Sequence, residues 1–308
     1  MAPDQVARLC LPGDAGCTGD DALPPEEVAR LIANPMERAR LLGQRSAEMH
    51  AALADAQGDA AFAPEPYSAV YQRGLLQSMR NTTRATMQTI GQRLSTLNGE
   101  AKAFAETVKS RESDILAIFR DLTGRPVKVP RIRIHGDYHL GQVLWTGKDF
   151  VIIDFEGEPL RSIGERRLKR SSFRDVAGMV RSFDYAAWTA LRKHQSLLPP
   201  DGPAANRERD TRGAELFGAW LGREFVRAYT ARLREIRPEL LPPSIADMEL
   251  VLKSWVLEKA LYEVRYELNS RPDWVEIPLR AVTKILDGST AAVPPLNGVT
   301  TTAKGRNA

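Results

Sequence analysis

Near the middle of the chain, two carboxylates and an amide fall at spacings that could do chemistry together. Residues 134–159 read I-H-G-D-Y-H-L-G-Q-V-L-W-T-G-K-D-F-V-I-I-D-F-E-G-E-P: Asp137, then Gln142 five positions on, then Asp154 at the end of the apolar run Phe150–Ile153. Such a set suits transfer of a phosphoryl group. A carboxylate that accepts the proton of an attacking hydroxyl must sit in a rigid loop, with oxygen ligands nearby to hold Mg2+ against the phosphates of ATP. Gln142 offers an amide carbonyl, a hard oxygen donor of the kind Mg2+ prefers. Thr146 to Asp149 reads as a turn joining Val143–Trp145 to Phe150–Ile153, so Asp154 projects from the end of a hairpin. Glu156 places a second acidic side chain beside it.

The layout parallels that of protein kinases, where an H-R-D-L-x-x-x-N loop supplies the base and one metal ligand, and a D-F-G after a strand supplies another. H-G-D-Y-H-L-G-Q followed by D-F-E-G-E-P resembles the aminoglycoside-phosphotransferase-like branch of that fold. With E-R-R-L-K-R-S and R-D-V-A-G-M-V-R-S-F behind it, the chain closely resembles the maltokinases from about Leu41 to about Leu286. The resemblance implies ATP and Mg2+ as cofactors, Asp137 as base and Gln142 and Asp154 as metal ligands. It implies maltose as acceptor at its anomeric hydroxyl, trehalose synthase as a partner, and a cytoplasmic place in trehalose and glycogen metabolism.

Two other readings compete. His135 and His139 stand four apart, but a zinc site needs three or four ligands in tetrahedral array, and Gly136 spoils a helical pair. They are expected instead to orient the loop: His135 by packing and hydrogen bonding, His139 near the phosphates or the sugar. A Gly-Asp-x-His string also occurs in metallophosphoesterases, which makes a metal-dependent phosphoester hydrolase a rival. That rival predicts further Asp/Asn/His clusters, and the sequence offers none. The second alternative is a non-catalytic maltose-binding or interaction module. It is suggested by the late first lysine, Lys102, where this kinase lineage carries a strand lysine in an N-terminal lobe.

The chain has 308 residues, 43% of them hydrophobic, and a formal charge of +4. This is enough for one large core or two modest ones, and too weakly basic to argue for nucleic acid. Two cysteines, Cys10 and Cys17, read as reduced and incidental, and no apolar run is long enough to span a bilayer. The expected fold is mainly α with a small β-hairpin (α+β): the C-terminal lobe of a protein-kinase-like fold, with the N-terminal lobe missing. The expected organisation is an irregular lead-in over 1–34, the lobe over 35–287 with its catalytic block at 131–187, and a disordered tail over 288–308. Glycines 13, 16 and 19 in the lead-in have no strand before them and are not expected to cradle phosphate.

Helical spacing of apolar residues predicts helices over about 35–57, 67–107 with a break near Asn98–Gly99, 112–122, 175–192, 213–234, 244–268 and 276–286. Asp175 opens one of them and is expected to cap it and to accept hydrogen bonds from the catalytic-loop backbone. His50 is expected to be a packed histidine within the first. The charge run Glu165–Arg170 reads as a solvated face or as a segment shaping the acceptor side. Trp255, Lys259, Tyr262 and Tyr266 share one helical face, which suits either sugar stacking or packing against another helix. The resemblance favours Tyr262 and Tyr266 as sugar contacts, with Glu263 and Arg265 beside them.

Overall fold

The computed structural model of the chain describes residues 26–55, 58–124, 128–159, 161–197 and 204–288. The first half forms four helices, α1 (Glu26–Leu53), α2 (Ala69–Arg93), α3 (Gly99–Ser110) and α4 (Glu112–Thr123). The α1 helix begins nine residues before the expected start at Pro35, which lies inside it. Tertiary burial explains the difference: Ile32 and Met36 pack with Leu216, Ala219 and Trp220, which outweighs the one backbone hydrogen bond that the proline removes. Ser68 caps α2 by accepting the Tyr71 N–H at 3.2 Å. The expected break before α3 falls at Gly99, whose φ of +53° is a left-handed value that glycine tolerates. The segment preceding Glu26, with its glycines and cysteines, and the tail beyond Gly288 lie outside the described residues.

Two short strands follow, β1 (Val143–Trp145) and β2 (Phe150–Ile152), paired antiparallel with Val143 opposite Ile152 and Trp145 opposite Phe150. After them come α5 (Ile163–Arg166), α6 (Phe173–Ser196), α7 (Ala204–Ile236), α8 (Ile245–Ser270) and α9 (Glu276–Leu286). Apolar side chains line most of the circumference of α8, from Val251 and Leu252 through Val256, Leu257, Ala260, Leu261 and Val264 to Leu268, and all are buried. A helix so apolar belongs in the middle of a core. It is contacted by α2, α4, α6 and α9, while α6 also packs against α7 and α1 lies along α7.

The catalytic stretch enters this helical body through two backbone bridges. Arg131 exchanges hydrogen bonds with Glu65 at 2.7 and 2.9 Å, and Ile132 with Arg170 at 2.9 Å each way. The charge run contributes here and is not merely a solvated face. Lys169 is buried, donating to the carbonyls of Ala60 and Ala63 at 3.0 and 2.6 Å and pairing with Glu65 at 3.0 Å. Glu165 and Ser162 form a capping box at the start of α5.

Gly43 fixes how closely α1 approaches α7. A Cβ at this position would lie 2.4 Å from the Phe225 carbonyl oxygen and 3.0 Å from the Tyr229 nitrogen. The Gly43→Ala variant gains about 1 kcal/mol of helix propensity, but forcing the two helices apart costs about 1–3 kcal/mol. Net destabilisation is expected in urea unfolding, as a lower midpoint at unchanged slope; an equal or higher midpoint would show that the contact is loose.

Candidate active site

The loop between Ile132 and β1 is held from three sides. Gly136, at φ +87°, makes a turn that only glycine adopts without strain. On either side of that turn, His135 N–H donates to Asp175 Oδ2 at 2.7 Å and Gly136 N–H to Asp175 Oδ1 at 3.0 Å. Burial alone would push the Asp175 carboxyl up, but the hydrogen bond from His50, the nearby His135 ring and the Gly136 N–H outweigh it and hold it below the ordinary carboxylate range. Ser172, without a capping bond, occupies the N-cap of α6, so Asp175 serves the loop and is not the helix cap. Gly178 and Ser182, further along α6, complete the support: a Cβ on Gly178 would meet the Tyr138 carbonyl oxygen at 2.6 Å, and Ser182 Oγ accepts the Leu140 N–H at 3.0 Å.

His135 joins the two halves of the site. Its Nε2 lies 2.8 Å from the carbonyl oxygen of Ile153, the residue before Asp154. A carbonyl only accepts, so Nε2 carries the proton and Nδ1 is left facing the Asp137 N–H at a long 3.4 Å. The ring packs between Tyr138 and Phe155, with centroids at 5.2 and 5.0 Å. The loop histidine is thus a tie and not a metal ligand. Among the described residues, no group of three or more His, Cys, Asp or Glu side chains could hold a metal ion.

The hairpin register brings Gln142 and Asp154 together. One step beyond the Val143–Ile152 pair, the Gln142 carbonyl accepts the Ile153 N–H at 3.0 Å, and the Gln142 side-chain amide donates to Asp154 Oδ2 at 2.8 Å. Asp154 has φ +65°, the one non-glycine positive φ among the described residues. Such a conformation costs on the order of 1–3 kcal/mol and persists only where its surroundings enforce it. With Asp137, this gives two carboxylates and an amide, an oxygen-rich donor set that fits a hard divalent cation and not zinc.

A cavity of about 520 Å3 opens beside Asp137, within the range of small-molecule sites. His139, Glu158, Ser182, Tyr185, Lys259, Tyr262, Glu263, Tyr266, Glu267 and Arg271 line it. Most of its acids are already engaged. The Tyr262 hydroxyl donates to Glu158, whose other oxygen is 3.3 Å from Arg161. Glu263 pairs with buried Arg181 at 2.8 Å, and the Tyr185 hydroxyl donates to Glu267 at 3.1 Å. Burial pushes the Glu263 carboxyl up against the opposing pull of Arg181, and burial likewise pushes the Tyr185 and Tyr262 hydroxyls up.

The expected contacts divide. Tyr262 lines the cavity wall, with Lys259 Nζ over its ring at 5.1 Å, and Tyr266 stands 42% exposed at the mouth. Trp255 from the same face is buried, with Arg174 over its ring at 5.8 Å, so that end of the stripe is core. Neither Arg265 nor Glu156 is among the lining residues; Glu156 is 80% exposed, 4.0 Å from Arg166. Sequence reasoning passed over Glu158, Ser182, Tyr185, Glu267 and Arg271. The available signals were the last acid of D-F-E-G-E-P and residues 178, 182 and 185, spaced four and three apart and so on one face of their helix.

Comparison with known proteins bears on this geometry. Residues 21–157 match the phosphotransferase enzyme family, APH. The chain is 29% identical to the glucosamine kinase of Mycolicibacterium smegmatis over 245 residues, 80% of this chain and 52% of that protein. It is 26% identical to the glucosamine kinase of Streptacidiphilus jiangxiensis over 288 residues, 92% of this chain and 54% of that protein. A solved glucosamine kinase in complex with glucosamine, ADP and inorganic phosphate superposes with a TM-score of 0.67 at 24% identity, over 84% of this chain and 55% of that one. A second crystal form gives 0.67 at 23%, over 85% and 56%. The chain shares the fold of these kinases. It spans just over half the length of the relatives it matches.

His139 gives this site a titration to follow. Its Nδ1 accepts the Gly141 N–H at 3.0 Å and its Nε2 lies 3.8 Å from Asp137 Oδ2. Burial lowers the imidazole below its ordinary value, outweighing the opposite pull of Asp137. A depressed folded-state value means that the neutral ring stabilises the fold above the unfolded pKa of about 6.5, a contribution lost as pH falls through the folded value. Titration of the His139 ring by NMR is expected to give a midpoint below that of free imidazole. A midpoint at or above it would mean that the Asp137 charge dominates.

Proposed function

We propose that this chain carries the acceptor-binding and metal-binding site of an ATP-dependent sugar phosphotransferase. The observation that carries the reading is the position of Asp137, at the edge of the 520 Å3 cavity and in the same loop as Gln142, which contacts Asp154. Asp137 would orient the acceptor hydroxyl and take its proton as the phosphoryl group arrives. Gln142 and Asp154 would hold Mg2+, which when bound neutralises charge on the phosphates of ATP. Asp175 and His135 keep the loop rigid while Asp137 works, and the cavity walls turn the sugar so that one hydroxyl faces Asp137.

For the acceptor, we infer an amino sugar. Its lining carries Asp137, Glu158, Glu263 and Glu267 against Lys259 and Arg271. Three of these acids are held by Arg161, Arg181 and Arg271, so the wall offers an amine oriented carboxylate oxygens as hydrogen-bond acceptors and not a net negative surface. The glucosamine kinases found by comparison point the same way. Maltose as acceptor and trehalose synthase as partner rest on the motif resemblance alone. Tyr262 and Tyr266 would supply ring faces for the sugar in either case.

The test is transfer of labelled γ-phosphate from Mg-ATP to glucosamine by the purified chain, beside maltose, glucose and a no-sugar control. Label is expected on glucosamine in preference to maltose. Label on maltose with none on glucosamine would overturn the acceptor assignment. Loss of Asp137 as base is worth about 10²–10⁴-fold, so Asp137→Asn should lower turnover by at least about 10²-fold with an unchanged melting temperature. Retained turnover in that variant would remove Asp137 from the role.

A further inference from the structure

The buried face of α1 behind the catalytic loop carries a histidine that the proposed chemistry leaves unused. We propose that His50 is a positioning residue: through Asp175 it sets the backbone geometry of the loop that presents Asp137. This inference rests on the reading of Asp137 as the base.

His50 is fully buried, as is Tyr229, and Asp175 is 2% exposed. The His50 Nε2 lies 3.1 Å from Asp175 Oδ2, the same oxygen that accepts the His135 N–H, and Nδ1 lies 3.0 Å from the Tyr229 hydroxyl. The proton positions follow from the partners. An ionised carboxylate only accepts, so Nε2–H donates to Asp175; in the neutral ring Nδ1 accepts, and the Tyr229 hydroxyl donates to it. One carboxylate thus spans His50 on one side and the two N–H groups flanking the Gly136 turn on the other.

A second contact comes from the same helix face, one turn earlier. Ser46 Oγ donates to the Leu42 carbonyl at 2.7 Å, which leaves it to accept from the Tyr138 hydroxyl, also at 2.7 Å. Tyr138 is the residue after Asp137. Adjacent Arg45 holds Asp149, in the hairpin turn, with two bonds of 2.9 and 3.0 Å. The α1 helix therefore grips the catalytic block at the residue after the base, at the carboxylate behind it and at the turn ahead of Asp154. Removing the His50 donor leaves a buried carboxylate with less compensation. That favours its protonation or rotation, and either one weakens its hold on the His135 and Gly136 amides.

A histidine that merely fills space would tolerate an apolar side chain of similar size; a positioning histidine would not. His50→Leu removes the donor, while His50→Gln keeps an N–H that can reach Asp175. In the purified chain, amide hydrogen exchange at His135 and Gly136 is expected to accelerate at least about tenfold in His50→Leu, with α8 amides unchanged, and to return toward the original rate in His50→Gln. Turnover should fall by about 10–100-fold in His50→Leu, the range for residues that orient a functional group, with sugar KM within twofold and most of the loss recovered by Gln.

Unmoved His135 and Gly136 amides in His50→Leu, or a Gln variant no better than Leu, would overturn the proposal. If His50→Leu fails to fold, Tyr229→Phe decides: it removes the hydroxyl that fixes the His50 tautomer, and faster exchange at the same two amides supports the proposal while unchanged exchange defeats it. Absence of phosphate transfer by the unmodified chain would count against the proposed function and leave the exchange measurement to decide the role of His50.

Discussion

A carboxylate buried behind the catalytic loop is the constraint on which the rest of the site depends. Taking an ion such as Asp175 out of water costs several kcal/mol unless donors replace the water. Here three do so: the loop N–H groups of His135 and Gly136 and the imidazole of His50. The compensation works in both directions. The N–H groups stabilise the carboxylate, and the carboxylate allows those N–H groups to point inward around a left-handed glycine turn without being orphaned. Asp137 inherits its position from that exchange, because it is the next residue along a backbone with little freedom left.

The geometry of Gln142 and Asp154 is settled by a different device. A three-residue strand pair is too short to be stable alone, and its outer face, Leu144 and Val151, is exposed. It is held by attachments at both ends, Arg45 on the Asp149 carboxylate and the Gln142 carbonyl on the Ile153 N–H. Those anchors allow Asp154 to keep a positive φ, and the resulting turn aims its carboxylate at Gln142. His135 then ties the hairpin to the base loop through the Ile153 carbonyl. The two halves of the candidate site are thus coupled by one imidazole.

The acceptor side follows a third logic. Its acids are mostly paired with arginines and tyrosine hydroxyls, which fixes their orientation before any ligand arrives. Few polar edges are left facing inward without a partner. Tyr266 and Arg271 at the rim are more exposed than Tyr262 and Glu263 deeper in.

The sequence by itself determined the parts governed by local rules. The order Asp137, Gln142, Asp154 and the hairpin between them were legible because the turn and the apolar run leave few alternatives, and the helix breaks were legible because glycine and capping residues mark them. Tertiary structure decided what depends on residues far apart in the chain. Whether α1 begins at Pro35 or at Glu26 was fixed by Ile32 meeting Trp220, and whether Glu156 faces the cavity or solvent by the path of the loop after Asp154. That Trp255 is core while Tyr262 is wall, though both lie on one helical face, came from which neighbours cover each end. The link from His50 to Asp175 spans 125 positions, and no local pattern encodes a contact at that separation; only the packing of α1 on α7, against which α6 also packs, brings the two together.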